Sequence, residues 1–455
     1  MMDNVKTDLL VIGGSAGGAV AALTAKSFYP EKKMTVIRRD PKALVPCGIP
    51  YISTTLNGEI EKDAMPDAML TGKGIELIID EVRSIDRESK SVTTSKGDQI
   101  GYEKLILATG SEPIVPPIPG VNIKNVFSVK KDAKYLEGLF GAIPRAKEIV
   151  VIGGGFIGVE FADDLSKGDA NVSIVEMLPR CLMAAFDEDF CAKAEEELKE
   201  EGVGIYTNCT AETIIGDEKV EYVVLNNGEK LKAEIVILGI GVKPEVDLAR
   251  EAGLKISEKG GIWVDKYMRT EEKEIFAVGD CAESYSFFTK DPIPLRLASI
   301  ASNEGRIAGA NAFKLRRVSE GTIGTFSTMA GDYGFAKAGL TQKEAKELGY
   351  EIVVGVAEAP DRHPGTLPGT HTMKVRLIFE RTTAQLIGGE IYGGGSGAGC
   401  MINAVATMIQ NRMTANEIPT FQMGTHPLMT CSPVNCHMLS AAEDAVSKFL
   451  NFYLY

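Results

Sequence analysis

Glu148-Ile149-Val150-Val151-Ile152-Gly153-Gly154-Gly155-Phe156-Ile157-Gly158 decides the fold. The run into Ile152 reads as a strand buried on both faces, and a helical pattern follows the glycines through Leu165. A second strand, Val172 to Val175, comes next, and Glu176 ends it. Gly153-x-Gly155-x-x-Gly158 with an acid about 20 residues on is the fingerprint of a dinucleotide-binding βαβ unit. Glycine lets the backbone approach a pyrophosphate, and N–H groups at the helix start stabilise its charge. Gly153, Gly155, Phe156, Ile157 and Gly158 are therefore candidate cofactor contacts. A carboxylate at Glu176 accepts hydrogen bonds from a ribose diol and repels a 2′-phosphate, so NADH is expected over NADPH.

The same pattern stands 140 residues upstream. Asp8-Leu9-Leu10-Val11-Ile12 leads into Gly13-Gly14-Ser15-Ala16-Gly17-Gly18 and an alanine-rich helix, and the strand Met34 to Ile37 follows. Two such units predict one dinucleotide-binding domain each. This copy departs from the rule. Ser15 replaces the middle glycine, and Arg38 stands where the ribose acid is expected, with Arg39 and Asp40 beside it. Either Asp40 takes the ribose or the arginines face adenine or phosphate.

Further strands end in turns: Lys104 to Leu107 before Ala108-Thr109-Gly110, Ile235 to Leu238 before Gly239-Ile240-Gly241, and Ile275 to Val278 before Gly279-Asp280. Prolines 113, 116, 117 and 119 make a stiff linker and a domain boundary. From about residue 325 the texture changes. Lys374 to Phe379 and Leu386 to Tyr392 look like antiparallel strands, with two helices after them. The fold class expected is α/β: two Rossmann-like dinucleotide-binding domains plus a C-terminal α+β domain.

With 455 residues the chain is too long for one core. A net charge of −13 with no basic block argues against nucleic acid. Eight scattered cysteines show no zinc spacing, so no metal is expected. They fit a reducing compartment, and the expected location is cytoplasmic. The apolar stretch Leu9 to Ala25 follows acids and is interrupted by glycines, which reads as strand, turn and helix rather than a signal peptide. No membrane span is expected.

These segments together resemble the pyridine nucleotide-disulfide oxidoreductase superfamily over nearly the whole chain. The resemblance rests on the two glycine motifs, Ala108-Thr109-Gly110 and Ala277-Val278-Gly279-Asp280-Cys281. It implies FAD at Gly13 to Gly18, Arg38, Arg39 and Ala108 to Gly110, with Asp280 on the ribityl chain. It implies further that Leu297 to Ala310, with Ala298 in its first turn, is the helix facing the flavin pyrimidine. Gly241 joins the cofactor-binding set, as does Glu160, which is similar to a family carboxylate near the nicotinamide. Phe156 resembles the aromatic gate over the flavin; simple core packing is the alternative. The implied domains are 1–115 with 250–324 for FAD, 116–249 for NADH, and 325–455 for dimerisation, as a homodimer.

Cys47-Gly48-Ile49-Pro50-Tyr51 resembles the single-cysteine branch of that superfamily, which holds coenzyme A disulfide reductase, NADH oxidase and peroxidase, and persulfide reductase. Ile52 stands where dithiol members carry the second cysteine. Cys47 is then the catalytic thiol and must pair with an external sulfur. A helix start beside it is expected to lower its pKa. Ala16 stands where the oxidases carry a histidine. Arg362 and His363 stand where coenzyme A disulfide reductases place tyrosines. Thr425-His426-Pro427 resembles the His-Pro segment whose histidine protonates a leaving thiol, so His426 is a second catalytic candidate, although Cys431 replaces the glutamate that orients it. The expected activity is NADH-driven reduction of a small-molecule persulfide, polysulfide or coenzyme A persulfide, with coenzyme A a possible ligand. Coenzyme A disulfide reduction, NADH oxidation, and electron supply to or redox sensing through a protein partner are the alternatives. Cys431 and Cys436, followed by His437, read either as core residues or as a redox pair.

Overall fold

The computed structural model describes residues 5–453. The chain divides into two compact units, Met1–Pro116 with Phe127–Arg145 and Gly241–Thr322, and Pro117–Val126 with Ala146–Ile240 and Ile323–Tyr455.

In the first unit a seven-stranded sheet runs in the order Glu76–Ile79, Met34–Arg38, Val5–Ile12, Gln99–Leu107, Ser91–Thr94, Val82–Asp86, with Ile275–Ala277 also pairing Gln99–Leu107. The strands around the centre are parallel, in register Leu10↔Thr35, Leu10↔Leu105 and Phe276↔Ile106. Leu9, Leu10, Val11, Met34, Val36, Leu105 and Ile106 are fully buried, as a parallel sheet covered on both faces requires. The helices Ala16–Phe28 and Ala298–Asn311 pack backbone to backbone. A Cβ on Gly309 would meet the Ala21 carbonyl oxygen at 2.3 Å. The small residues of the first helix permit that approach.

In the second unit parallel strands run in the order Gly204–Tyr206, Asn171–Val175, Glu148–Ile152, Ile235–Leu238. The helix Phe156–Ser166 joins Glu148–Ile152 to Asn171–Val175. The same unit contains an antiparallel sheet in the order Thr325–Ala330, Tyr333–Gly339, Leu386–Gly394, Thr372–Glu380, Ile352–Pro360. The helices Gly397–Gln410 and His437–Tyr453 follow it. A buried ion cluster ties the antiparallel sheet to the start of the helix Glu188–Glu200: Arg376 Nη1 lies 3.2 Å from Asp187 and 3.0 Å from Glu390. Among the described residues, no helix is long and apolar enough to cross a membrane, and no group of three His, Cys, Asp or Glu is placed to hold a metal.

Candidate active site

The two glycine turns are built alike. Gly13 has φ +110° and Gly153 has φ +107°, the left-handed region that glycine enters without steric penalty. A Cβ on Gly13 would lie 2.0 Å from the Ala108 carbonyl oxygen, and one on Gly153 2.6 Å from that of Gly239. The last glycine of each motif packs on the first. A Cβ on Gly18 would sit 2.0 Å from Gly13 O, and one on Gly158 1.8 Å from Gly153 O. Gly155 is different, because a Cβ there would meet nothing within 4 Å. The protein itself does not need glycine at the middle position; close approach of a ligand does. Ser15 at the matching place is therefore tolerated by the fold. Both helices start without a side-chain cap or an acid in the first turn, which leaves their N-terminal N–H groups to an anion. The residues present thus fit two dinucleotides.

The turns differ in what closes them. Glu176 is buried, and its carboxylate accepts from Gly154 N at 2.5 Å and Leu178 N at 2.7 Å. That carboxylate is pinned at the strand end beside the glycine turn. Arg38 fills the same place in the first unit. It is buried, donates to the carbonyl oxygens of Asp40 at 2.9 Å and Pro41 at 2.6 Å, and pairs with Asp67 at 2.7 Å. Its guanidinium organises the loop leading to Cys47. Arg39 is exposed and lies 3.6 Å from both Asp40 and Glu112.

Around the first turn, Thr109 Oγ1 donates to Glu245 O at 2.6 Å, and Glu245 N returns a bond to Gly110 O at 2.9 Å. Ile114 N donates to Gly241 O at 3.0 Å. Asp280 lies in a single 3-10 turn, Gly279–Cys281, and its Oδ2 accepts from Ser111 Oγ at 2.6 Å and Lys131 Nζ at 3.0 Å. Beneath it, Glu304 is buried and accepts from Gly279 N at 2.7 Å and Ser284 Oγ at 3.1 Å. Burial pushes the Glu304 carboxyl up to about 8. Ala298 opens the helix that carries Glu304.

Cys47 is exposed. The chain turns tightly there, with Gly48 N donating to Val45 O at 2.8 Å and Tyr51 N to Gly48 O at 3.0 Å. The helix start expected beside Cys47 is only a four-residue 3-10 turn, Ile49–Ile52. Ile52, five residues on from Cys47, is fully buried. Behind the loop, Asp63 is buried against Gly48, where a Cβ would lie 1.8 Å from Asp63 Oδ1. Burial pushes that carboxyl up to about 6.

Phe156 packs edge-on against Phe326 at 4.9 Å and Phe186 at 6.2 Å between ring centroids. Ile157 follows it in the first turn of the helix. On the next turn Glu160 accepts from Thr328 Oγ1 at 3.0 Å, and burial pushes it up to about 7. His426 lies exposed in an irregular loop, with Leu428 N 3.3 Å from its Nδ1. The loop holding Arg362 and His363 packs on it. His363 N donates to Pro427 O at 3.2 Å, and His363 Nδ1 lies 3.0 Å from Thr430 O.

A model of the pyridine nucleotide-disulphide oxidoreductase family matches residues 7–305, and that family's dimerisation domain matches 325–435. The chain belongs to the pyridine nucleotide-disulphide oxidoreductase family. It is 32% identical over 406 residues to an NAD(P)H coenzyme A polysulfide/persulfide reductase of Pyrococcus horikoshii, covering 86% of this chain and 89% of that one. It is 30% identical to an NADH oxidase of Methanocaldococcus jannaschii, over 97% of this chain and 99% of the relative. A solved NAD-dependent persulfide reductase from A. fulgidus superposes with a TM-score of 0.90 at 31% identity, covering 98% of this chain and 84% of that one. As a member of this family the chain is an FAD- and NAD(P)H-dependent flavoprotein oxidoreductase, with relatives that act on sulfur.

Sequence reading missed Lys131, Glu304 and Asp63. Lys131 reaches Asp280 across 149 positions of chain. Glu304 and Asp63 look like ordinary surface acids in a local pattern. The one available signal was Gly48 beside Cys47, whose missing side chain makes room for the Asp63 carboxylate.

Proposed function

We propose that the protein is a homodimeric, cytoplasmic NADH-dependent reductase of persulfides and polysulfides, coenzyme A persulfide included, acting through Cys47. The observation that carries this reading is an exposed Cys47 on a tight turn with fully buried Ile52 five residues on. With Ile52 five residues on in place of a second cysteine, this exposed thiol meets sulfur arriving from solvent. The Cys47 thiolate takes the outer sulfur of RS–SH, giving Cys47 persulfide and RSH. Two electrons from NADH then release HS⁻ and restore the thiolate. The net change is NADH, H⁺ and RSSH to NAD⁺, RSH and H₂S. FAD, when bound, supplies the two-electron relay between nicotinamide and sulfur.

The chain's own residues divide the remaining work. Gly13 to Gly18 and Gly153 to Gly158 each seat a pyrophosphate. Glu176 takes the NADH ribose, and Asp280 with Lys131 takes the ribityl side of FAD. Phe156 and Glu160 border the nicotinamide. His426 protonates the leaving thiolate, for which an imidazole is suited.

The oxidase reading draws on the Methanocaldococcus relative. Ala16 counts against it, because a methyl group in the first turn of its helix provides no proton for oxygen chemistry. One NADH supply tested with coenzyme A persulfide, coenzyme A disulfide and oxygen separates the readings. Hydrogen sulfide formed one for one with NADH, at a rate well above that for either rival acceptor, is expected. Faster oxygen uptake would overturn the proposal.

A further inference from the structure

Gly154, in the middle of the run Gly153-Gly154-Gly155, is held at both ends of its residue. Its N–H donates to Glu176 Oε2 at 2.5 Å, and its carbonyl oxygen accepts from Leu182 N at 2.8 Å. A Cβ on Gly154 would lie 2.8 Å from Cys181 Sγ and 3.0 Å from Glu176 Oε2, so the sulfur covers the Cα as well. Cys181 is fully buried, and burial pushes its thiol up to about 12, so it packs there as a neutral group. In the first turn the stem of Arg38 occupies the matching place, 3.0 Å from a Cβ on Gly14.

The segment that supplies these contacts is itself constrained. Leu182 takes φ +60°, a left-handed conformation that a leucine keeps only where its surroundings fix it. Glu195, buried on the helix Glu188–Glu200, does the fixing. Its Oε1 accepts from Cys181 N at 2.9 Å, and its Oε2 accepts from Arg180 Nη1 at 3.0 Å. One carboxylate thus holds the two residues before Leu182 and aims the N–H that reaches Gly154. The far end of the segment is tied separately. Phe186 N donates to Leu182 O at 3.1 Å, Cys191 Sγ donates to Phe186 O at 3.5 Å, and the Phe186 ring meets Phe156 at 6.2 Å.

We propose that Glu195 is a positioning residue for NADH. Through Cys181 N it holds the Cys181–Leu182 segment, and through Leu182 N it holds the carbonyl side of the second glycine turn. The proposal rests on the assignment of NADH to Gly153–Gly158. What matters is the reach of the side chain rather than its charge, because the bond to Cys181 N needs only an acceptor oxygen. A turn released at Gly154 spends less time in the geometry that meets a pyrophosphate, and apparent affinity falls by that fraction. The hydride step is spared, since Phe186 beside Phe156 is tied through Cys191 instead.

The test titrates full-length, FAD-loaded variants with NAD⁺ by calorimetry, with FAD content measured beside it. Glu195→Asp keeps the charge but is one methylene short of both partners, and NAD⁺ should bind about tenfold more weakly. Glu195→Gln keeps the reach and an acceptor for Cys181 N, and should retain affinity to within about threefold. Glu195→Ala should bind most weakly of the three. In each, FAD content and the limiting rate of flavin bleaching at saturating NADH should stay near wild type, a split that general loosening of the fold would not produce. Wild-type NAD⁺ binding by Glu195→Asp would overturn the proposal, as would a loss in Glu195→Gln equal to that in Glu195→Asp. Gly155→Ser, measured alongside, separates the two layers. If it weakens NAD⁺ binding and Glu195→Asp does not, the positioning role alone falls; if neither does, the assignment of NADH to this turn falls with it. Asp and Gln both keep a polar group at position 195, so an Ala variant that fails to fold leaves the test standing.

Discussion

The turns at Gly13–Gly18 and Gly153–Gly158 share one backbone solution but end on opposite charges. In each, the first glycine takes a positive φ under a carbonyl from the neighbouring loop, and the last lets the helix close on the first. In the second turn a buried carboxylate, Glu176, is pinned to the glycine backbone. In the first a buried guanidinium, Arg38, is spent on the loop that leads to Cys47. The comparison separates two kinds of requirement. Glycines that meet backbone are demanded by the fold, and the middle glycine and the strand-end residue are free to follow the ligand.

The largest effect is expected from Gly158→Ala, with Gly18→Ala close behind. The added methyl would sit on a carbonyl oxygen at 1.8 Å and 2.0 Å. Overpacking against backbone destabilises by roughly 1–3 kcal/mol or more. A clearly lower melting temperature is expected for both, and wild-type melting would break the claim that the two turns are equally strict.

Next comes Glu176→Arg. Hydrogen bonds to a charged group contribute about 1.5–3 kcal/mol, on the order of tenfold to a hundredfold in affinity. The kcat/KM ratio of NADH to NADPH should fall by at least that factor, with FAD content unchanged. A preserved preference would place cofactor selection outside the second turn.

Each unit also buries an acid near its cofactor turn, Glu304 at about 8 and Glu160 at about 7. The native fold raises Glu304 above its ordinary value, so its contribution to stability is full below about 4.5 and is lost as pH rises through about 8. Glu304→Gln cannot titrate. Its melting temperature should fall less than that of wild type as pH rises from about 4.5 to about 8, a difference worth a few kcal/mol at most. Parallel profiles would show that another group carries the loss.

Gly155→Ser, which copies Ser15 into the second turn, should do least to the fold. Melting is expected to stay within a degree or so of wild type, because a Cβ there meets only open space. The KM for NADH should rise severalfold while FAD content stays the same. A large drop in melting temperature would contradict the assignment of the middle glycine to the ligand.

Much of this was legible in the sequence because it is local. The spacing of Gly153, Gly155 and Gly158 and the acid at Glu176 lie within one βαβ unit, as do the buried strands beside them. The antiparallel strands after residue 370 were likewise readable from short apolar runs. What was not legible is set by distance along the chain. Lys131 on Asp280, Glu304 under Gly279 and His363 on the His426 loop are pairings that only the finished fold creates. The helix start beside Cys47 is a different case. Gly48 and Pro50 mark a turn, but nothing local says that it stops after four residues.

The central claim is that two differently closed turns serve the Cys47 thiol, and the Cys47→Ser protein tests it most directly. Under anaerobic conditions with coenzyme A persulfide, it should remain yellow and bleach with NADH as wild type does, yet release essentially no hydrogen sulfide. Undiminished sulfide release, or purified protein without flavin, would contradict the account.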